Sequence, residues 1–471
     1  MKNVIFLNRR LLVLLLLAIF TLTGCGASGL QIKANYALQT KRYDEALAIY
    51  QEILKSDPAN MEALKGVGET YLRMKKGPEA AAALERAYAK SPDQQTIFNL
   101  GLAYSEAGDY GKAISTWDVF LASETNKNLA DLVKKHQTLA LYKDASLQAK
   151  KALVQERTLI SESVVAEKRK ASVPVLKETI RKEPSSKYSK PSDKTKRSRT
   201  VRKEKVAIPE KSEPEQNAAV LAEQKLKKDF PVDERTIAVS LFGENGKTEK
   251  TKHLRKALAS MIITDLSKAP DIKVVERVRM QKLLDELNLG QSGIVDPATS
   301  PRVGRLLKAG KVVSGSMLGA NDESIRILRI LMNVSTGRTL GDQDAQGKVD
   351  EFFKLQKAIV LGIIKDLGIK LSPRDEELIS RYATHNYKGL LLYGEGLDWQ
   401  DMGEWDKAVH VFKQCVIIDP AGPCGPALSA APSASDEAIG PEGILEAVSM
   451  AVAENQAAAA AASGSGGGGG H

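Results

Sequence analysis

Cysteine and histidine are scarce in this chain of 471 residues, and aromatic residues make up only 5% of it. The three cysteines, Cys25, Cys415 and Cys424, are too few for a disulfide framework or a cysteine-based metal cluster. The five histidines stand singly rather than at metal-ligand spacing. The sequence therefore predicts neither a metal site nor a cofactor.

Recognisable catalytic motifs are also missing from the sequence. It contains no Gly-x-Ser-x-Gly elbow, no Walker loop and no His-Glu-x-x-His helix. Gly66-Val67-Gly68 resembles the start of a dinucleotide fingerprint, but it lies inside a predicted repeat helix rather than after a strand. We therefore expect that the protein is not an enzyme.

Positive charge is abundant, with a net charge of +10 and a pI near 9.2. The excess is local, because residues 168–205 hold fifteen Lys or Arg against four acidic residues, a surplus of eleven. The rest of the chain is therefore close to neutral. No aromatic interleaving or recognition fold accompanies the basic stretch, so we expect no nucleic-acid partner.

The basic stretch predicts a linker rather than a domain. From about Ala171 to Phe230 apolar periodicity disappears, which leaves too little apolar surface to offset chain entropy. We place a disordered basic linker at residues 157–230; about 60 flexible residues span on the order of 40–45 Å and can tether two domains. A second hypothesis is loose attraction of this stretch to anionic envelope polymer or lipid head groups.

The N-terminus has the pattern of an export signal. Lys2, Arg9 and Arg10 precede an apolar run at 11–22, which is shorter than the about 20 residues of a membrane span. Leu22-Thr23-Gly24-Cys25 then resembles the lipobox of bacterial lipoproteins. The resemblance implies that residues 1–24 are a signal peptide and that Cys25 is acylated. Gly26 follows where inner-membrane retention favours Asp, which implies the outer membrane.

A helical repeat follows, because the sequence from Leu30 to about Glu156 repeats with a period of 33–34 residues. This period is typical of tetratricopeptide units, and we assign residues 25–156 to such an array with a capping helix. The residues expected to pack helix on helix are Gly68, Tyr71, Ala80, Gly101, Tyr104 and Ala113. The resemblance implies a concave groove for protein partners, lined here by Lys65, Glu69, Asn99 and Leu102.

The middle of the chain alternates strand and helix patterns, which predicts an α/β domain at residues 231–372. Strands are predicted at 236–242, 272–276 and 311–318, the last forming an antiparallel hairpin with 324–334. The segments Val274-Val275-Glu276-Arg277-Val278-Arg279-Met280, Leu289-Gly290-Gln291-Ser292-Gly293, Val312-Val313-Ser314-Gly315-Ser316 and Val334-Ser335-Thr336-Gly337-Arg338 resemble the CsgG family of curli-secretion lipoproteins.

The CsgG resemblance implies a periplasmic domain that forms oligomers, and a pore in the secretion subfamily. A transmembrane hairpin needs two strands of about 9–11 residues with alternating apolar positions. The break at 319–322 is too short and the segment 341–349 too polar to provide one. We therefore expect the soluble domain without a channel, and the resemblance leaves a homo-oligomer through this domain open.

The C-terminal region has the pattern of one further tetratricopeptide unit at residues 373–425, with Gly396, Trp399 and Ala408 at packing positions. A single unit cannot bury its own apolar face, so it must pack on another part of the chain or on another subunit. Cys415 is expected to be buried, and a disulfide with Cys424 stays open. We treat residues 426–471 as a low-complexity tail.

These patterns predict an outer-membrane lipoprotein, anchored on the periplasmic side, that acts as a protein-binding scaffold in envelope assembly or secretion. The alternative is an oligomeric component of a curli-type secretion channel. The expected partners are envelope proteins at the repeats and a membrane at the acyl anchor.

Overall fold

The computed structural model describes residues 29–124, 126–171, 228, 230–245, 249–288, 299–318, 324–433, 435–436 and 445. The predicted signal peptide with Cys25, most of the predicted basic linker, the segment 289–293 and the break at 319–322 lie outside the described residues. The predicted architecture is confirmed: an N-terminal helical array, an α/β domain and a C-terminal helical part.

The N-terminal array consists of antiparallel helix hairpins. The helices are α1 (29–39), α2 (Tyr43–Ser56), α3 (Met61–Arg73), α4 (Gly77–Tyr88), α5 (Gln94–Glu106), α6 (Tyr110–Ser123) and α7 (Lys127–Ala171). Side chains before helices satisfy their first amides: Asn60 accepts from the Ala63 amide, and Asp93 accepts from the Thr96 amide. The local sequence thereby sets where α3 and α5 begin.

The last helix of the array extends further than the sequence suggested. We placed the end of the array at Glu156, whereas α7 continues to Ala171. The residues beyond Glu156 belong to the predicted linker, but no Gly or Pro occurs between 157 and 171 to end a helix. Helix α7 therefore continues through residues 157–171 of the predicted linker, and Ser163 within this stretch is buried.

The α/β domain is built on a six-stranded sheet with the order β3-β1-β4-β5-β6, and β2 pairs with β4. The strands are β1 (Asp233–Val239), β2 (Gly243–Asn245), β3 (Lys273–Val274), β4 (Ala309–Leu318), β5 (Ser324–Asn333) and β6 (Thr339–Lys348). Strands β1, β2 and β3 run parallel to their partners, whereas β4-β5 and β5-β6 are antiparallel. The predicted hairpin of β4 and β5 is confirmed.

Helices cover both faces of the sheet. The domain's helices are α8 (Glu249–Leu266), α9 (Arg277–Glu286), α10 (Ser300–Leu306) and α11 (Phe352–Asp366). Ile262 of α8 and Ile359 of α11 share one buried cluster with Val313 of β4. On β4 the neighbouring side chain points to the opposite face, where Val312 meets α10 at Gly304. Adjacent residues of β4 are thus both buried.

Strand β6 was missed from the sequence. After the turn at Gly337, which has φ +67°, we expected the chain to run directly to the final helix. Instead β6 adds an antiparallel edge strand in which only Ala345 is buried. Its polar side chains are tolerated because an edge strand exposes most of its surface, and Arg326 pairs with Asp344 across the strands.

The C-terminal part contains α12 (Pro373–Ser380) and a hairpin of α13 (Tyr387–Asp401) and α14 (Trp405–Ile418), followed by α15 (Cys424–Ala430). The hairpin turns at Gly403, which has φ +77°. Cys415 is buried and forms a disulfide with Cys424, with 5.9 Å between their Cα atoms. The possibility left open by the sequence is thereby decided in favour of the disulfide.

Part of the region that we treated as tail is ordered in the fold. Helix α15 extends through residues 426–430, Asp436 lies 3.3 Å from Lys135 of α7, and Leu445 is 2% exposed. The alanine-rich composition suggests low complexity, but the contacts of Asp436 and Leu445 depend on individual residues that overall composition does not single out. The tail is therefore attached to the array at two points.

The chain forms two compact units, residues 1–150 with 232–471 and residues 151–231. The first unit contains the repeats, the α/β domain and the C-terminal hairpin. Contacts between these three parts determine which surfaces remain for a partner.

Candidate partner-binding surface and buried junction

Small residues at the predicted packing positions set how closely the repeat helices approach. A Cβ on Gly68 would lie 2.4 Å from Cγ of Leu84, and one on Gly101 would lie 2.4 Å from Nε1 of Trp117. Ala80 and Ala113 are fully buried, while Tyr71 and Tyr104 are half-buried. These contacts set the distance between neighbouring helices of the array.

The C-terminal hairpin uses the same packing rule. A Cβ on Gly396 would lie 2.3 Å from the Phe412 ring, and Ala408 is fully buried. Trp399 is half-buried, with the Lys407 ammonium 4.6 Å from its ring centroid. The three residues singled out from the sequence therefore lie at or beside the contact between α13 and α14.

Two of the four predicted groove residues are accessible. Lys65 lies 2.8 Å from Asp93 and 3.2 Å from Glu62, and Glu69 lies 2.8 Å from Arg73. Partial burial works against charge on Lys65, but the two carboxylates outweigh it and raise its pKa. The pair with Asp93 joins α3 to the start of α5.

The other two predicted groove residues are buried, and the expectation that they contact a partner is corrected. Asn99 and Leu102 are each 3% exposed. The Asn99 side chain accepts a hydrogen bond from Gln95 at 2.9 Å, whereas Leu102 shares an apolar cluster with Val133 of α7 and with Leu445. The prediction for these two groove residues rests on the repeat register alone. That register does not show which residues α7 and the tail cover.

The surface that remains on α3 is a charged strip formed by Glu62, Lys65, Glu69 and Arg73. These residues follow helical spacing of three or four, which places them on one face. Glu62 is exposed and the other three are partly exposed. Glu62 and Arg73 were missed from the sequence, although the same spacing from Lys65 and Glu69 would have found them. This α3 charged strip is the candidate partner-binding surface.

A buried junction joins the array to the α/β domain and to the C-terminal hairpin. Its centre is Asp401, whose Oδ2 lies 2.5 Å from Arg277 and 2.7 Å from Lys256. Its Oδ1 accepts a hydrogen bond from the Tyr142 hydroxyl at 2.9 Å. Burial opposes ionisation of Asp401, but Arg277 and Lys256 outweigh it and lower its pKa to about 2. Asp401 is therefore charged at neutral pH.

A second carboxylate extends the junction along α13. Asp398 lies 2.7 Å from Lys256 and 2.5 Å from Nδ1 of His253, both on α8. Burial again opposes ionisation, but these two partners lower the pKa of Asp398 below its usual range. Nearby, Gly394 allows close packing, because a Cβ there would lie 2.0 Å from the His253 carbonyl oxygen.

Apolar contacts and a further ion pair complete the junction. The rings of Tyr142 and Trp405 meet edge to face with centroids 5.1 Å apart. They belong to a cluster with Val278 of α9, and Asp144 of α7 lies 3.1 Å from Arg279. The charges of the junction compensate each other, so the arrangement serves to hold three chain segments in one orientation.

His136 lies on α7 beside this region and is 6% exposed. Its Nε2 has no hydrogen-bond partner among the described residues. Burial lowers the pKa of His136 to about 4. The positive charges of Lys135 and Lys143 lower it as well, whereas the charge of Asp436 opposes the shift. The imidazole is therefore neutral at physiological pH.

No group of three or more metal-ligating side chains is found within the described ranges. In the same part of the chain, no helix combines the length and apolar character needed to cross a bilayer.

Comparison with solved structures gives two examples of low similarity. A PelC dodecamer from Paraburkholderia phytofirmans has 12% identity and a TM-score of 0.19, and the match covers 30% of this chain and 94% of that chain. Yeast Tom70 has 12% identity and a TM-score of 0.25, with 90% of this chain and 84% of that chain covered. At these TM-scores neither structure bears on the function of this chain. Comparison with curated proteins gives no match.

Two family models match the chain. The tetratricopeptide repeat model matches residues 33–95, which fall on the N-terminal array. The model of the curli production assembly/transport component CsgG matches residues 219–326, which include β1 to β4 of the sheet. The combination predicted from the sequence is confirmed: the chain carries a tetratricopeptide repeat region followed by a domain of the CsgG family.

Proposed function

We propose that this protein is an outer-membrane-anchored periplasmic lipoprotein and that it acts as a protein-binding scaffold in cell-envelope assembly or secretion. The observation that carries the proposal is the buried junction at Asp401. It presents the repeats and the CsgG-family domain as one compact unit, so a partner bound at the repeats is held in a defined orientation relative to that domain.

The chemistry of the described residues supports binding rather than catalysis. The charged groups of the junction are paired within the chain, and the α3 charged strip offers both signs of charge to a partner. Complementary charge chiefly gives specificity and a fast encounter with the correct protein. The protein therefore needs no catalytic group and no cofactor for this role.

The proposed compartment is supported by two independent features. The Cys415 and Cys424 disulfide fits an oxidising environment, such as the bacterial periplasm. The lipobox resemblance at Cys25 supplies an acyl anchor, and several acyl chains hold a protein on a bilayer without a spanning helix.

Metabolic acyl labelling tests the anchor. The wild-type chain should incorporate labelled fatty acid and sediment with outer membranes, and Cys25→Ser should abolish the labelling. A control variant, Cys424→Ser, should keep the label because it removes a thiol far from the lipobox. An unlabelled wild-type chain or a cytosolic location would contradict the proposal.

Site-specific photo-crosslinking tests the scaffold role. A photoreactive amino acid at Glu69 of the α3 charged strip should give a discrete adduct with another envelope protein in intact cells. The matched control is Glu52, which is exposed on α2 outside the strip. Equal adducts at both positions, or none at Glu69, would contradict partner binding at the strip.

The alternative function is an oligomeric component of a curli-type secretion channel, and the CsgG model match favours keeping it. Conductance across planar bilayers separates the two functions. A stable ion-conducting oligomer of the purified lipidated chain would favour the channel, whereas the scaffold requires no conductance.

A further inference from the structure

The first helix of the array carries two large apolar side chains that the array does not use. On α1, Ala34, Ala37 and Leu38 are buried at 0%, 0% and 5% exposure. Ile32 and Tyr36 are exposed at 70% and 60%. Since residues four apart lie on one face of a helix, this pair forms an apolar face directed away from the core.

Basic groups flank the apolar pair. Lys33 is exposed on α1, and the Arg42 guanidinium lies 5.3 Å from the centre of the Tyr36 ring. Arg42 is also paired with Glu45 at 2.7 Å, so this neighbouring carboxylate is compensated within the chain. An apolar face with tyrosine and flanking basic residues is the pattern of helices that lie in the head-group region of a bilayer.

The position of α1 in the chain identifies what covers this face. Ile32 follows Cys25 by seven residues, and seven residues of any conformation span at most about 25 Å. If Cys25 is acylated, its backbone lies at the head groups, and α1 is held within that distance of them. A bilayer surface is therefore the nearest apolar surface available to Ile32 and Tyr36.

We propose that Ile32 and Tyr36 insert into the head-group region of the phospholipid leaflet that holds the acyl anchor, so that α1 forms a second membrane contact. This inference rests on the proposed acylation of Cys25. Two side chains bind a bilayer weakly by themselves, but the anchor makes their insertion an intramolecular event with a high effective concentration. The second contact orients the array relative to the membrane, which a single acylated residue cannot do.

Depth-dependent fluorescence quenching tests the inference on the full lipidated chain. With Cys25 acylated and the other two cysteines in the disulfide, Ile32→Cys introduces one free thiol for an environment-sensitive fluorophore. In vesicles of phosphatidylethanolamine and phosphatidylglycerol, the emission should shift to the blue and be quenched by lipids that carry a nitroxide on the acyl chain. The same label at Glu52→Cys on α2 should show neither effect. Equal behaviour at the two positions would overturn the inference.

A second set of variants carries the label at a position other than Ile32. A label at Gln39→Cys, exposed at the end of α1, should be quenched in the otherwise wild-type chain. Adding Ile32→Ser and Tyr36→Ser should reduce that quenching to the level at Glu52→Cys; unchanged quenching would overturn the role of the two residues. Mass spectrometry of the same sample separates the two proposals. Acylation without quenching overturns the α1 contact alone, whereas an unacylated Cys25 overturns the anchor and, with it, this inference.

Discussion

Asp401 is the side chain on which the junction depends most, because it contacts Arg277, Lys256 and Tyr142 at once. Removing one partner from a buried ion pair leaves uncompensated charge, which costs about 3–5 kcal/mol. We therefore expect Asp401→Asn to lower the free energy of unfolding by that amount. Urea denaturation followed by tryptophan fluorescence measures the change.

The matched control for Asp401 is Glu404, three residues further along the chain. Its pair with Lys407 at 3.2 Å is solvent-exposed, and such pairs contribute about 0–1 kcal/mol. Glu404→Gln should therefore change stability by less than about 1 kcal/mol. A loss in Asp401→Asn no larger than in this control would refute the role given to the junction.

The burial of His136 leads to a prediction about the free energy of unfolding in mild acid. Its folded pKa of about 4 lies below the unfolded value near 6.5, so the unfolded chain binds the extra proton between these values. Neutral His136 makes its full contribution to the free energy of unfolding above pH 6.5, and this contribution is lost as the pH falls toward 4. The free energy of unfolding should fall by roughly 2 kcal/mol from this group between pH 7 and 5.

A substitution isolates this effect. His136→Leu should flatten the dependence of the free energy of unfolding on pH between 7 and 5, whereas His410→Gln, at an exposed position of α14, should keep it. Denaturation at several pH values checks both. A wild-type stability that does not change over this range would contradict the burial of neutral His136.

At several residues the repeat pattern alone decides the environment of the side chain. Gly68 and Gly101 meet large side chains of the next helix, as the spacing indicates. Leu102 shows the limit of this approach, because its burial depends on a cluster that includes α7 and Leu445. Neither the position of a capping helix nor that of a tail residue is encoded in the repeat register.

At the level of helices and strands, the close approach of α5 and α6 is the feature most open to test. A methyl group on Gly101 would overlap Trp117, which is 1% exposed, so the helices must move apart. Overpacking of this kind costs about 1–3 kcal/mol. Gly101→Ala should therefore lower the midpoint of urea unfolding, as measured by circular dichroism at 222 nm.

Gly111 on α6 provides the control, because a Cβ there would meet nothing within 4 Å. Gly111→Ala should stabilise the protein by about 0.4–1 kcal/mol, since alanine restricts the unfolded chain and favours the helix. If both substitutions were stabilising, the packing of α5 on α6 would be looser than described.

Strand prediction succeeded where apolar residues dominate and failed where they do not. Strands β1, β4 and β5 were found because each has a buried apolar face. Strand β6 was missed, because its segment is mostly polar and lies at the sheet edge. Its strand character comes from hydrogen bonding to β5, which composition does not report.

At the scale of the whole molecule, the sequence predicted the parts but not how they meet. The C-terminal unit was expected to need a partner surface, and it packs both on α8 of the CsgG-family domain and on α7 of the array. The residues that make these contacts are far apart in the sequence. Arg277 and Tyr142 are separated by 135 positions, and Tyr142 and Asp401 by 259. No local periodicity connects such residues.

The junction leads to a prediction about chain cleavage. The array and the CsgG-family domain are joined through the pairs of Arg277 with Tyr142 and of Arg279 with Asp144, and the tail adds contacts of Asp436 and Leu445 with the array. They should therefore stay together when the basic stretch between them is cut. A protease site inserted between Lys190 and Pro191 allows this cut in the folded protein. The two fragments should co-elute in gel filtration at micromolar concentration.

Variants of the cleaved protein show whether the junction is responsible. Tyr142→Ala with Asp144→Ala removes the α7 side of the junction, including the edge-to-face contact with Trp405, while Asp436 and Leu445 still contact the array. On dilution, the cleaved fragments of this variant should therefore separate at a higher concentration than the cleaved wild-type fragments. The same pair of substitutions in the uncut chain should leave a single elution peak, because covalent connection keeps the two halves at high effective concentration. Separation of the wild-type fragments would show that the basic stretch, rather than the junction, holds the array and the domain together.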